Sequence, residues 1–173
     1  IENIKDRILA EDIYAKLSLP TFNNSAMDGY AVKINDANKE VKVLDVIFAG
    51  SEKRTSFEEG QCVKIMTGAR VPTSTEAVIP QELTTKIDEN TVLLPDTIKI
   101  NQHIRFTGED IEKGEKLLSQ GDDLNFSSVT ILASQGITHV KVYRKPKVSV
   151  FTSGEELKLH YEKIEDYQIF NSR

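Results

Sequence analysis

The sequence predicts an α+β chain: a β-rich domain inserted into a small split α/β domain, followed by the opening of a further α/β domain. Three observations predict it. Between Tyr14 and Ile100, short runs rich in Val, Ile and Thr are bounded by Gly, Pro, Asn and Asp, the punctuation of strands and turns. On either side of that region the apolar spacing is helical. Beyond Pro146 a new apolar run begins, so the proline marks a domain boundary.

Taken in order, Ile1, Ile4, Ile8 and Leu9 recur at helical spacing with Lys5, Asp6 and Arg7 between them, as in an amphipathic helix whose start lies upstream. With no initial Met, the chain is expected to be a fragment. Candidate strands are 28–33, 40–48, 61–66, 76–79, 83–87, 91–94 and 97–100, with Asp88-Glu-Asn90 as a hairpin connection. Asn125 can cap a helix over 126–135 that places Phe126, Val129, Leu132 and Ala133 on one face and stops at Gly136. Strands are expected again over 137–143 and, after Arg144-Lys-Pro146, over 147–151.

At 173 residues, the chain can bury a core without disulfide or metal staples, and 39% hydrophobic with 28% charged residues is the composition of a folded, soluble protein. The net charge of -5, from 22 basic and 27 acidic residues, leaves no basic excess for a phosphate backbone, which argues against nucleic acid as a partner. Cys62 is the only cysteine; it excludes an internal disulfide and lies in the apolar run Cys62-Val-Lys-Ile-Met66, where it reads as a buried thiol. No apolar stretch approaches the roughly 20 residues that span a bilayer, and Ile1-Glu-Asn-Ile-Lys lacks a signal-peptide pattern. A cytoplasmic setting without membrane contact is expected.

Four stretches can carry chemistry. In Leu19-Pro20-Thr-Phe-Asn-Asn-Ser25-Ala-Met-Asp28-Gly29, a tight connection delivers Asp28 to the start of a strand, where Gly29 permits close approach of another group. Taken alone, Asp28 is more simply read as a turn carboxylate accepting backbone hydrogen bonds. In Ile65-Met66-Thr67-Gly68-Ala69-Arg70-Val71-Pro72, small residues beside a hydroxyl and a cation can form an anion-binding nest or a plain turn. The third stretch, Ile104-Arg105-Phe-Thr-Gly108-Glu109-Asp110-Ile111, sets adjacent carboxylates beside a glycine, either as ligands for a hard cation or as a solvated acidic turn. His103 lacks partners at metal-ligand spacing and reads as polar surface. In the fourth, an apolar strand runs into Thr152-Ser153-Gly154-Glu155-Glu156, as where open α/β sheets build a ligand crevice; alternatively, the two glutamates favour a helix start.

Together and in order, NSAMDGYAV, IMTGARVP, IRFTGEDIEKGEKLL and RKPKVSVFTSGEEL resemble the MoeA and gephyrin E-domain family of molybdopterin molybdenumtransferases. RILAEDI and LASQGITHVKVYRKP fit the same pattern, so the resemblance covers nearly the whole chain. It implies insertion of molybdate into adenylylated molybdopterin with release of AMP, a divalent cation, typically Mg²⁺, and a homodimer. It also implies a split first domain over 1–14 and 115–144, a β-rich second domain over 15–114, and a third, molybdopterin-binding α/β domain of which 145–173 is only the beginning. The fragment alone is expected to be inactive, because the family builds its cleft between the second domain of one protomer and the third and fourth domains of its partner.

Carried over residue by residue, the resemblance implies catalytic roles for Asp28, Thr67, Asp110 and Glu156, substrate binding at Gly68, Ser153 and Gly154, and metal contacts from Asp28, Asp110 and Glu156. Three carboxylates facing an anionic substrate would repel it, which is the physical reason to expect Mg²⁺ between them. The family's usual Ser-Thr-Gly-Asp-Glu-Leu is here Thr152-Ser-Gly-Glu-Glu-Leu157, with Glu156 in register. The final Ile169-Phe-Asn-Ser-Arg173 resembles a family segment that usually carries an Asn near its last position. A non-catalytic scaffold or binding module of the gephyrin type is the alternative, and intact acids at the matching positions argue against it.

Overall fold

The computed structural model describes residues 1–172 and is mostly β, with one α-helix and two short 3₁₀ turns among the described residues. Arg173 lies outside them. The chain opens with β1 (Arg7–Ile8) and β2 (Ile13–Tyr14), where the spacing of Ile1, Ile4, Ile8 and Leu9 predicted a helix. Asp6 instead takes a φ of +59°, and the N–H groups of Asp6 and Leu9 bond to Leu124 and Asp122. Those donors are spent on a distant segment rather than on a helix of their own. Ile4 and Leu9 are buried while Ile8 is 40% exposed, so the apolar spacing reflects separate contacts and not one helical face.

After β3 (Asn24–Ser25) come β4 (Gly29–Val32), β5 (Glu40–Ile47), β6 (Gln61–Ile65), β7 (Ala77–Pro80), β8 (Thr85–Lys86) and β9 (Thr91–Leu93). Six of these form one sheet in the order β7-β4-β6-β5-β9-β8, antiparallel except where β5 meets β6. Alternation along each strand splits its apolar residues between two faces. Tyr30, Val32, Cys62 and Ile79 enter one cluster, while Ala31, Val63, Ile65 and Val78 enter another. Both faces are therefore covered, which is why these strands read as nearly continuous apolar runs.

The Asp88-Glu-Asn90 turn joins β8 to β9, with the Asp88 carboxylate accepting the Asn90 N–H at 2.7 Å. The strand expected at 83–87 is confined to β8, because Leu83 ends a 3₁₀ turn. The strand expected at 97–100 does not form. Ile98 packs on the first cluster, Ile100 is 58% exposed, and Asn101 bonds to Glu76 before turning at a φ of +63°.

The chain then returns through β10 (Ile104–Arg105), which pairs with β3, β11 (Lys116–Leu118), which pairs with β2, and β12 (Asp123–Leu124), which pairs with β1. Asn125 caps α1 (Phe126–Ser134), accepting the Ser127 and Ser128 N–H groups, and Gly136 follows at a φ of +63°. Ile4, Leu9, Ile13, Leu124, Leu132 and Ile137 form a third cluster. The buried stripe of this region is Ser128, Leu132 and Gln135 rather than the expected Phe126 and Ala133. At about 100° per residue, positions 126 and 133 fall well off that stripe, and Phe126, 71% exposed, stacks under the Lys5 ammonium at 5.0 Å.

The strand expected at 137–143 is reduced to a single bridge between Val142 and Leu9. The one expected at 147–151 does not form: Val148, Val150 and Phe151 are strongly exposed, and no neighbouring strand among the described residues offers them a ladder. Nor do Glu155 and Glu156 begin a helix; β13 (Leu157–Lys158) follows them and pairs in parallel with β14 (Ile169–Phe170). No helix among the described residues is long and apolar enough to cross a membrane.

Candidate active site

Three of the four motif stretches meet on β3. On one side, the Ser25 N–H bonds to Ala69, the Gly68 N–H to Ser25, and the Val71 N–H to Asn23, at 2.8–3.1 Å. On the other side, Ser25 faces Ile104, Asn24 faces Arg105, and the Ala26 N–H bonds to the His103 carbonyl at 3.0 Å. The Asn23 side chain adds two bonds from Thr107, at 2.9 and 3.0 Å. Segments far apart in sequence are thereby fixed side by side by backbone hydrogen bonds.

Asp28 leaves this junction just ahead of β4. Its neighbour Gly29 has no alternative: a Cβ there would lie 2.0 Å from the Ile79 carbonyl oxygen, so any side chain would force β4 and β7 apart. The exposed Asp28 carboxylate accepts both the Thr67 N–H and the Thr67 hydroxyl on Oδ1, each at 2.7 Å. Those two bonds, the N–H foremost, hold Asp28 below the usual carboxylate range, with Lys64 adding a small attraction and slight desolvation opposing it. Oδ2 accepts no hydrogen bond among the described residues.

The second stretch does not form an anion nest. Its Thr67, Gly68, Ala69 and Val71 N–H groups are spent on Asp28, Ser25, Met66 and Asn23, so Gly68 has no backbone donor to offer a substrate. Asp110 sits on a loop tied to Leu19 through its own N–H, at 2.9 Å. Arg105 Nη2 reaches both of its oxygens, at 2.6 and 2.5 Å, while Arg105 Nε lies 3.6 Å from Glu109. Bonding to Asp110, and the charges of Asp110 and Glu109, raise the guanidinium pKa further. Sequence reasoning treated Arg105 only as a neighbour of these acids, and the five-residue separation from Asp110 carries no signal of the clamp.

Among the described residues, no regular pairing brings the fourth stretch to this junction. Glu156 is exposed and its carboxylate folds back on Gly154, where a Cβ would lie 2.3 Å from its oxygens. Ser153 is exposed, and Thr152 accepts a 2.7 Å bond from Asn171. Among the described residues, no group of three or more His, Cys, Asp or Glu side chains is placed to hold a metal ion. Asp28, Asp110 and Glu156 therefore do not make one donor set within this chain, because Arg105 occupies Asp110 and Glu156 lies on a separate stretch.

Residues 1–136 match the family model described as the MoeA N-terminal region, domains I and II. The chain belongs to the MoeA family. It is 40% identical over 174 residues to a molybdopterin molybdenumtransferase of Haemophilus influenzae, covering 99% of this chain and 43% of that one. A Staphylococcus epidermidis protein of the same name is 36% identical over 172 residues, covering 95% and 41% respectively. The chain thus spans about two fifths of the length of these relatives. A solved molybdopterin biosynthesis MoeA protein from Pyrococcus horikoshii superposes with a TM-score of 0.84 at 33% identity, covering 98% of this chain and 45% of that structure. The family model takes in the first three motif stretches, and the MoeA relatives extend the similarity through the fourth.

Proposed function

We propose that this chain serves molybdenum cofactor biosynthesis as part of a molybdopterin molybdenumtransferase, which inserts molybdate into adenylylated molybdopterin and releases AMP. The observation that carries this reading is the Asp28–Thr67 pair at the meeting point of three motif stretches. Thr67 fixes the orientation of Asp28 and lowers its pKa, so the carboxylate stays ionised and presents Oδ2 to a reacting group or an ordered water. Arg105 holds Asp110 in place and retains donors for an anionic substrate. Asp28, Thr67, Asp110 and Glu156 are the proposed catalytic residues, with Gly68, Ser153 and Gly154 at the substrate; since Gly68 has no donor to give, its part is close backbone approach.

Mg²⁺ belongs to the proposal as a charge shared between protein and substrate. Asp28 has an unengaged oxygen to offer it, and the remaining donors would come from outside the acids of this chain. The proposed organisation is a split first domain at 1–14 and 115–144, a second at 15–114 and the start of a third from 145. It is supported by the cluster that joins Ile4, Leu9 and Ile13 to Leu124, Leu132 and Ile137. The enzyme is proposed to work as a cytoplasmic homodimer whose partner supplies the facing wall of the cleft.

The test is AMP release from adenylylated molybdopterin, molybdate and Mg²⁺ by the full-length protein. Asp28→Asn and Asp110→Asn should each lower the rate by about 10²-fold or more while leaving the fold intact. Full activity in both variants, with unchanged Mg²⁺ dependence, overturns the assignment.

A further inference from the structure

Beside the β3 junction, the surface carries a cationic hollow that the roles above do not use. Its first wall is the 50–56 loop, which is held from behind by Asp45 at an irregularity in the pairing of β5 with β6 between Val43 and Val46. The Asp45 carboxylate accepts its neighbour's Val46 N–H at 2.7 Å, the Lys53 ammonium at 2.7 Å and the Thr55 hydroxyl at 3.0 Å. Both residues flanking Arg54 are thus tied down, and the buried Phe57 ring anchors the loop just beyond them. The second wall carries Arg70, whose guanidinium stacks on the Phe22 ring at 4.7 Å. Contact with the ring restrains the cation, and no salt bridge among the described residues takes up its N–H donors.

Arg54 and Arg70 line a cavity of about 180 Å³ that continues into one of about 420 Å³. A water molecule takes up about 30 Å³ in the liquid, so the smaller space alone exceeds what one tetrahedral oxyanion and a few waters need. Among the described residues neither arginine makes a salt bridge, whereas Lys53 is committed to Asp45. Among the described residues, Glu52 is the only carboxylate on the walls of the two cavities, which leaves a positive balance on a chain whose net charge is -5. Ser56 and Thr73 add hydroxyl donors, and the buried Thr75 hydroxyl, on an adjoining cavity that Arg70 also lines, has no hydrogen-bond partner among the described residues. Two planar guanidinium groups with unspent donors, hydroxyls on the same walls and one cation resting over an aromatic ring match the needs of a doubly charged, four-oxygen anion.

We propose that Arg54 and Arg70 form a binding site for a tetrahedral oxyanion in the hollow between the 50–56 loop and the 70–73 turn. A phosphoryl group and free molybdate share that shape and charge; the molybdate source rests on the transferase reading, and the phosphoryl source stands without it. The test is an NMR titration of the isotope-labelled chain with inorganic phosphate and, separately, with sodium molybdate, ionic strength being held constant with sodium chloride. Saturable shifts of the Arg54 and Arg70 side-chain signals are expected with at least one anion, and the tighter of the two identifies the source. Arg54→Gln and Arg70→Gln should each weaken that binding by about tenfold or more, while Lys113→Gln, on another loop, should not. If Arg70→Gln disturbs the fold, Arg54→Gln on the exposed loop decides the question. Absence of saturation with both anions, or identical titrations in the arginine variants and the unmodified chain, overturns the proposal whatever the outcome of the AMP-release assay.

Discussion

Thr67 directs both of its donors, the backbone N–H and the hydroxyl, onto the same oxygen of Asp28, each at 2.7 Å. The two bonds favour the ionised carboxylate, so Asp28 should titrate below the ~3.9 of an unperturbed aspartate. A carboxylate lowered on folding adds stability that is present above the unfolded value and is lost as pH falls through the folded one. Thr67→Val removes the hydroxyl and keeps the N–H, so the Asp28 midpoint should rise part of the way back. Carbon-detected NMR titration of both proteins measures this, and a midpoint at or above the unperturbed value in the unmodified chain would contradict the geometry.

Arg105 and Asp110 are bonded through two short contacts, yet their side chains are 40% and 52% exposed. An ion pair so open to water contributes little to the fold, because solvent screens the charges and two long side chains must be held in one geometry. Arg105→Lys keeps the charge but loses the planar guanidinium that reaches Asp110 through Nη2 and Glu109 through Nε at once. The thermal midpoint should fall by less than about 4 °C, whereas AMP release by the full-length protein should fall by about tenfold or more. A large loss of thermal stability with normal turnover would make Arg105 a structural residue.

The sheet was readable because its signals are local: short apolar runs in β4 to β7, turn residues such as Asp88 and Asn90, and the Asn125 cap each act within a few residues. The junction on β3 was not. It depends on Ser25 bonding to Ala69 and Gly68 and facing Ile104, pairings between distant segments that no spacing reveals. The same limit misdirected the reading of Ile1, Ile4 and Leu9, whose helical spacing gave way to bonds with Asp122 and Leu124. The apolar alternation of Val148 and Val150 was legible, but a strand is completed only by a neighbour. The grip of Arg105 on Asp110 was not legible either, because a carboxylate looks the same in sequence whether it faces water, a cation or a guanidinium.

Cys62 is fully buried in β6, and desolvation, with a lesser contribution from the charge of Asp36, pushes its thiol up to about 12. Since the thiolate is the reactive form, the folded chain should resist alkylation by iodoacetamide at pH 8 and react promptly once denatured. The raised value has a consequence for stability as well. The contribution of the neutral thiol is complete below the unfolded value of ~8.5 and is lost as pH rises towards the folded one. Mass spectrometry of alkylated protein and denaturation at increasing pH measure the two effects, and rapid labelling under native conditions would count against the burial.

Gln135, 1% exposed at the end of α1, accepts the N–H groups of both Lys16 and Leu17 on its side-chain oxygen, each at 2.9 Å. One side chain thereby joins the helix to the segment on the far side of the β-rich region. Gln135→Met keeps the length and apolar bulk of the side chain but removes the acceptor, leaving two donors at a half-buried junction. Losing such partners costs about 1–3 kcal/mol, and partial access of water to Lys16 and Leu17 favours the lower end. The urea midpoint should fall accordingly with an unchanged slope, since the surface exposed on unfolding is nearly the same. The effect should also travel: Leu19, two residues past Leu17, accepts the Asp110 N–H at 2.9 Å and so anchors the loop that Arg105 grips. Amide exchange should quicken most at Lys16 and Leu17 and next at Asp110, while Val63 and Ile65 in the central sheet keep their protection. Unchanged exchange at Lys16 and Leu17 would show that Gln135 does not hold the two segments together, and would leave the Asp110 loop anchored by other means.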